Sequence, residues 1–129
     1  MQYLLMIYGE EAAMQARGKD ETDRLVGAFM AYTEAMQKAG VLVASNRLRP
    51  ATTATTVRVA DGKTQVLNGP YAETREQLGG YYLIEAADLD AALSWASRCP
   101  GAAYGAIEVR PIWAMDEAGR YATAAHAAA

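Results

Sequence analysis

Two periods of apolar residues divide this chain into strands and helices. In "YLLMIY", Tyr3, Leu5 and Ile7 point one way in an extended strand while Leu4, Met6 and Tyr8 point the other, so the first strand is apolar on both faces. After a polar segment that runs to Asp20, the period changes. Leu25, Ala28, Phe29, Tyr32, Ala35, Met36 and Ala39 recur at helical spacing, with capping chemistry expected from Asp20 to Thr22 and a stop at Gly40. Glu34 and Lys38 add an i,i+4 pair on the outer side of that helix. "VLVAS" from Val41 reads as a second strand, and "NRLRPATTAT" as an exposed irregular loop, because Pro50 cannot donate to a central ladder.

"TTVRVADGKTQVL" predicts a hairpin turning at Asp61-Gly62, where a two-residue type I′ turn demands positive φ. Counting outward from the turn pairs Ala60 with Lys63, Val59 with Thr64, Arg58 with Gln65 and Val57 with Val66. "GGYYLIEA" reads as the next strand. Asp88 caps a second helix, in which Leu89, Ala92, Leu93 and Ala96 keep helical spacing and Trp95 lies on the flank. "AIEVRPIW" closes the series as a strand that ends by Pro111, and the tail "YATAAHAAA" is read as frayed chain or a docked helix.

This order of strand, helix, strand, hairpin, strand, helix, strand predicts an α+β fold, a ferredoxin-like βαββαβ unit with an inserted hairpin. Right-handed crossovers put both helices on one sheet face. The other face, with Leu4, Met6 and Tyr8, then has no helix above it, and a second copy of the sheet is the simplest cover. A homodimer is therefore expected.

Composition and charge remove several classes of function. The 129 residues are the size of one domain. A net charge of −3 and a sequence pI of about 5.1 speak against a nucleic-acid partner, which draws on clustered Lys and Arg. No apolar stretch approaches the roughly 20 residues of a membrane helix, and the N-terminal apolar run lacks a basic leader, so no membrane association and a cytoplasmic location are expected. The single cysteine, Cys99, has no partner for an intramolecular disulfide and reads as core. With one His, His126 in the tail, a nucleophile triad lacks its base and a metal cluster would rest almost wholly on carboxylates; neither a metal nor another cofactor is expected.

The candidate chemistry lies in "NGPYAETREQLGGYYLIE", where Asn68-Gly69-Pro70 and Gly79-Gly80 bracket a polar run. Gly69 supplies a backbone angle that other residues resist, Pro70 stiffens the exit from the hairpin, and the paired glycines permit close backbone approach. On one reading the run between them is solvated connection, with Glu73 and Gln77 stabilising a short helical turn. On the other, the brackets hold Glu73, Arg75 and Glu76 over the rim of a cleft, with Arg75 contacting an anion and Glu76, or else Glu73, accepting a proton. Tyr8, Tyr71, Tyr81 and Tyr82 are candidate cleft residues with polar tips, the other reading of aromatic residues in strands being core or dimer interface.

That stretch, preceded by "ATTATTVRVADGK" and followed by "DLDAALSWA" and "AIEVRPIW", resembles the DGPF-domain branch of the YciI-related family from about Met1 to Trp113, leaving 114–129 as a tail. The resemblance implies a dimeric α/β barrel, in which two ferredoxin-like sheets pack together and leave clefts near their rims. It also implies a loosely defined biochemistry, and a functional link to an extracytoplasmic-function sigma factor, since some members accompany such factors. The Asp that gives the motif its name is Asn68 here, which can form an Asx-turn but cannot titrate. The His–Asp pair attributed to some relatives cannot be carried over. Two functions follow as expectations: an accessory or sensor protein binding a small anionic or aromatic molecule at the rim, or a cofactor-independent isomerase, lyase or decarboxylase acting on an aromatic or lactone substrate.

Overall fold

A computed structural model describes residues 1–115. Strand β1 (Gln2–Gly9) leads through a short helix α1 (Glu11–Gln15) into the long helix α2 (Lys19–Lys38). Strand β2 (Leu42–Arg47) and a 3-10 turn at Ala51–Thr53 precede the hairpin β3 (Thr55–Ala60) and β4 (Lys63–Asn68). Strand β5 (Gln77–Glu85), helix α3 (Leu89–Arg98), a 3-10 turn at Pro100–Ala103 and strand β6 (Ala106–Pro111) complete the described residues. The main sheet has the order β2-β5-β1-β6 with every neighbour antiparallel, which is the ferredoxin-like α+β arrangement. The β3-β4 hairpin forms a separate two-stranded sheet.

The pleat sorts side chains as the sequence requires. Tyr3 and Leu5 of β1 and Tyr82 and Ile84 of β5 are buried on one face, against Tyr32 and Met36 of α2, Ala92 and Ala96 of α3, and Cys99. Polar atoms within this core are satisfied. The Tyr32 hydroxyl donates to the Trp95 carbonyl at 2.7 Å, Tyr82 and Thr33 share a hydrogen bond of 2.8 Å, and the Tyr32 and Tyr82 rings meet edge to face with centroids 5.2 Å apart.

Several expectations are corrected in detail. The cap of α2 is Gly18, not Asp20 to Thr22; Asp20 and Glu21 lie inside its first turn, where their charge complements the helix dipole, and no side chain caps that end. Of the apolar stripe expected on α2, Ala28 and Ala39 are exposed, because the sheet underlies only the part of the helix that carries Tyr32 and Met36. Leu89 and Leu93 of α3 are exposed as well, and the helix buries Ala92 and Ala96 with Trp95 packed beside them. Small residues let α3 lie close to the sheet, so the buried stripe is narrower than its leucines suggest. The segment before Asp20 holds helix α1.

Other readings hold. Asp88 caps α3, its Oδ1 accepting from the Ala91 amide at 2.8 Å. Glu34 and Lys38 pair at 3.1 Å, and Cys99 is buried. Asp61 and Gly62 have φ of 52° and 74°, the double positive of a type I′ turn, and the hairpin register matches the count outward from it, with Val57 opposite Val66. The tail expectation concerns residues that, from 116 on and including His126, lie outside the described part.

Candidate functional site

The open face of the main sheet is built by the alternate residues of the same strands. Cross-strand pairing places Leu4 beside Leu83, Met6 beside Tyr81 and Tyr8 beside Leu78, with Glu108 and Arg110 of β6 flanking them. Each of these apolar residues is half-buried by its sheet neighbours, and no helix of the described residues covers them. The Asn46 amide donates to the Tyr81 hydroxyl at 2.8 Å, and Glu108 and Arg110 pair at 3.1 Å along the edge. The result is an apolar strip with polar groups at both margins.

One end of this strip meets the bracketed segment. Gly9, the last residue of β1, pairs with Gln77, the first of β5, and Gly79 is the extra residue of a bulge between the Ile7–Gly80 and Tyr8–Leu78 pairs. The strand therefore starts two residues before the paired glycines, not at them. Gly80 explains its own identity: a Cβ there would lie 2.9 Å from the Asn46 carbonyl oxygen of the neighbouring strand. Gln77 is in β5 and not in a helical turn with Glu73. Its side chain ties the junction together, Oε1 accepting from the Glu11 amide at 2.9 Å and Nε2 donating to the Thr74 carbonyl at 2.6 Å. Two bonds across a turn of this length fix its course, which removes any need for a helical turn.

Arg75 sits at this junction. Its Nε donates to Glu10 at 2.6 Å, yet the Arg75 side chain remains 87% exposed and that of Glu10 39% exposed. Nε is the only guanidinium nitrogen with a hydrogen-bond partner among the described residues. Next to Glu10, Glu11 accepts from the Ala51 amide at 2.8 Å and so anchors the loop after β2. Glu73 is exposed and Glu76 half-buried, and the Thr74 hydroxyl donates to the Glu76 carbonyl. The segments that meet here carry Glu10, Glu11, Glu73 and Glu76 against Arg75, so the local field favours a neutral or weakly charged ligand over a multiply charged anion.

The remaining candidates belong to the hairpin. Asn68 closes β4 opposite Thr55, and its side chain makes no hydrogen bond among the described residues. The turn is held by Gly69, at φ 123°, whose amide donates to the Ala54 carbonyl at 2.7 Å and whose carbonyl accepts from the Thr56 hydroxyl at 2.8 Å. The Tyr71 ring lies under the Arg58 guanidinium, 5.1 Å from its centroid, and Tyr71 is 76% exposed. The proposed set thus divides in two. Tyr8, Arg75 and Glu76 lie at one end of the sheet with Tyr81 further along the strip opposite Met6, Asn68 closes the hairpin with Tyr71 folded against it, and Glu73 lies in the connection between them.

Glu10, Glu11 and Thr56 were not singled out from the sequence, and Gln77 and Arg58 were given other roles there. A signal for the first two was present: two acids directly after an apolar strand, at the end where the bracketed segment must enter the sheet. A cavity of about 260 Å³ lined by Met1, Gln2, Glu85, Ile112 and Ala114 lies at the opposite end, where the N-terminal ammonium meets Glu85 at 2.6 Å, and none of the candidate residues lines it. Among the described residues no group of three His, Cys, Asp or Glu is placed to hold a metal ion, and no helix is long and apolar enough to cross a membrane.

Comparison with known proteins agrees with the motif. An uncharacterized protein of Rhizobium meliloti (strain 1021) is 40% identical over 114 residues, a span of 87% of this chain and 92% of that one. The family model of the YCII-related domain matches residues 1–116. The chain belongs to the YCII-related family.

Proposed function

We propose that this protein is a cytoplasmic homodimer, its open sheet faces stacked, that binds a small aromatic molecule at the rim where Tyr8 and Tyr81 meet the Arg75 junction, and that it acts as an accessory or sensor protein. The observation that carries this reading is the uncovered strip of half-buried apolar side chains, which carries the Tyr8 and Tyr81 phenols and has a partly engaged guanidinium beyond its end. A flat aromatic ring suits such a strip, and a single polar substituent can reach the remaining nitrogens of Arg75. Pairing with Glu10 disfavours a simple inorganic anion, which would have to displace or tolerate that carboxylate. A proton-transfer enzyme would require an acid enclosed from water; exposed Glu73 and half-buried Glu76 at an open rim support binding instead.

The test is a native mass spectrum of the purified protein for a co-purified small molecule, followed by titration of that molecule, or of 4-hydroxybenzoate where none is found. Tyr81→Ala is expected to weaken binding on the order of 10-fold or more, and Arg75→Ala by less. Equal affinity in wild type and Tyr81→Ala would sink the assignment of this rim. Turnover of the bound molecule that falls in Glu76→Gln would replace the binding role by the enzymatic one.

A further inference from the structure

The hairpin is a second uncovered apolar surface. Val57, Val59 and Val66 share one of its faces, as the register requires, and are 59%, 68% and 62% exposed. Its other face carries Arg58, with Tyr71 folded against it. An isolated two-stranded hairpin is marginal in water, and three exposed valines on one face add to the cost. The base of the hairpin is closed on itself, Gly69 bonding Ala54 and Thr56, and β3 and β4 hydrogen-bond to each other but not to the main sheet.

Resting on the dimer reading above, we infer that each hairpin is an arm that lays Val57, Val59 and Val66 on the open sheet face of a second copy of this chain, so that each rim cleft is walled by both copies. Two observations select that occupant. One is area. Four strands about 4.8 Å apart and about 20 Å long give a flat footprint of roughly 400 Å², short of the about 800 Å² per partner of a stable interface. The hairpin face, two such strands, adds roughly 200 Å² per copy and brings the flat footprint to roughly 600 Å², nearer to that size than the sheet alone. The other is complementarity within one sequence. The chain exposes two separate apolar faces, and a two-fold axis pairs each with its counterpart at once, whereas stacked sheets alone leave both hairpins uncovered. The site is also the right end of the molecule. The hairpin springs from the segment after Arg47 and returns at Gln77, both toward the end of the sheet where Tyr8 lies.

The test uses the full chain. Replacing all three valines by threonine keeps strand-forming residues in the hairpin while removing its apolar face. Sedimentation equilibrium is expected to show the dimer weakened on the order of 100-fold. In a dimer mixed from labelled and unlabelled chains, filtered nuclear Overhauser spectra are expected to connect methyls of Val59 and Val66 with those of Leu4, Met6 or Leu83 across chains. A dissociation constant within about twofold of wild type would overturn the arm. So would hairpin valines whose contacts all stay within their own chain, residues 116–129 included, while Leu4, Met6 and Leu83 still show contacts between chains; the stacked dimer would then survive without it. Wild type that is monomeric at micromolar concentration would overturn both the arm and the dimer.

Discussion

The two faces of the main sheet are made by the same strands and have opposite fates. Ile84 points into the helix-covered core and is fully buried, while Leu83, its neighbour, points to the open face and stays half-buried. A sequence of the kind "YYLIE" supplies both at once. The core face is completed within the chain by α2 and α3, whereas the open face has no cover from the described residues. The lesson is that apolar character on both sides of a strand calls for cover on both sides, and on the open side the described residues do not supply it.

The largest expected effect separates these faces directly. Ile84→Ala should lower stability by about 2–5 kcal/mol at any protein concentration, because it leaves a cavity in a filled core. Leu83→Ala should cost less than about 1 kcal/mol in dilute, monomeric protein and progressively more as concentration drives association. Chemical denaturation at two concentrations a hundredfold apart distinguishes them. A Leu83→Ala cost that does not change with concentration would mean that the open face stays open.

Met6→Asp comes next. It places a charge at the centre of the open strip, opposite Tyr81 and Glu108, and buries it unpaired if two sheets stack. The monomer should remain folded while the dimer dissociates, with the dissociation constant raised on the order of 100-fold. An unaltered sedimentation profile would contradict stacking through this face.

The core face also carries a pH signature. Burial pushes the Tyr32 phenol far above its ordinary value of 10.0, with the nearby Cys99 and Tyr82 adding to the rise and Arg98 opposing it. Burial raises Tyr82 too, although the hydrogen bond it shares with Thr33 works against it, and burial raises Cys99. Each group stays protonated in the folded chain at a pH where the unfolded chain has lost its proton. Their contribution is therefore complete below the unfolded values, about 8.5 for the thiol and about 10 for the phenols, and is lost as pH rises through the window above them. Stability should be level with respect to these groups up to about pH 8 and fall steeply above about pH 10. Tyr32→Phe should flatten that fall and cost about 1–3 kcal/mol at neutral pH, since the Trp95 carbonyl loses its donor. An identical alkaline slope in the variant would remove Tyr32 as its source.

Much of this architecture was readable from period and turn chemistry. The hairpin register followed from Asp61-Gly62 alone, since a two-residue turn leaves no freedom in counting, and Asp88 declared its cap because a short side chain with an acceptor oxygen just before a helical stripe suits that role. What stayed hidden was set by contacts between distant segments. The Glu10–Arg75 ion pair joins residues 65 apart, and the Glu11 amide meets Gln77 from 66 away. Local pattern cannot anticipate which polar residue a loop brings to which strand end. The bracketing glycines and proline marked a defined segment, as the fixed turn shows, but gave no hint that its arginine would already have a carboxylate beside it. Similarly, Asn68 invited an Asx-turn reading, while the bond that holds the corner comes from Thr56, across the ladder.

The smallest expected effect on stability falls at that junction, and it sharpens the contrast between holding the fold and serving a site. Arg75 and Glu10 form a short ion pair, but the arginine is mostly exposed, and pairs of this kind contribute little because water screens them and two long side chains must be held still. Arg75→Ala should therefore shift stability by no more than about 0.5 kcal/mol. Gln77→Ala, by comparison, removes the acceptor of the Glu11 amide and a donor to Thr74, and should cost about 1–2 kcal/mol through loosening of the same junction. If Arg75 serves a ligand, its removal weakens binding without a matching loss of stability, whereas the loss in Gln77→Ala appears in both. Denaturation midpoints and ligand titration on the two variants decide between them. A destabilisation in Arg75→Ala as large as that in Gln77→Ala would make the arginine a structural strut, and the Tyr8 and Tyr81 rim would have to bind its ligand without it.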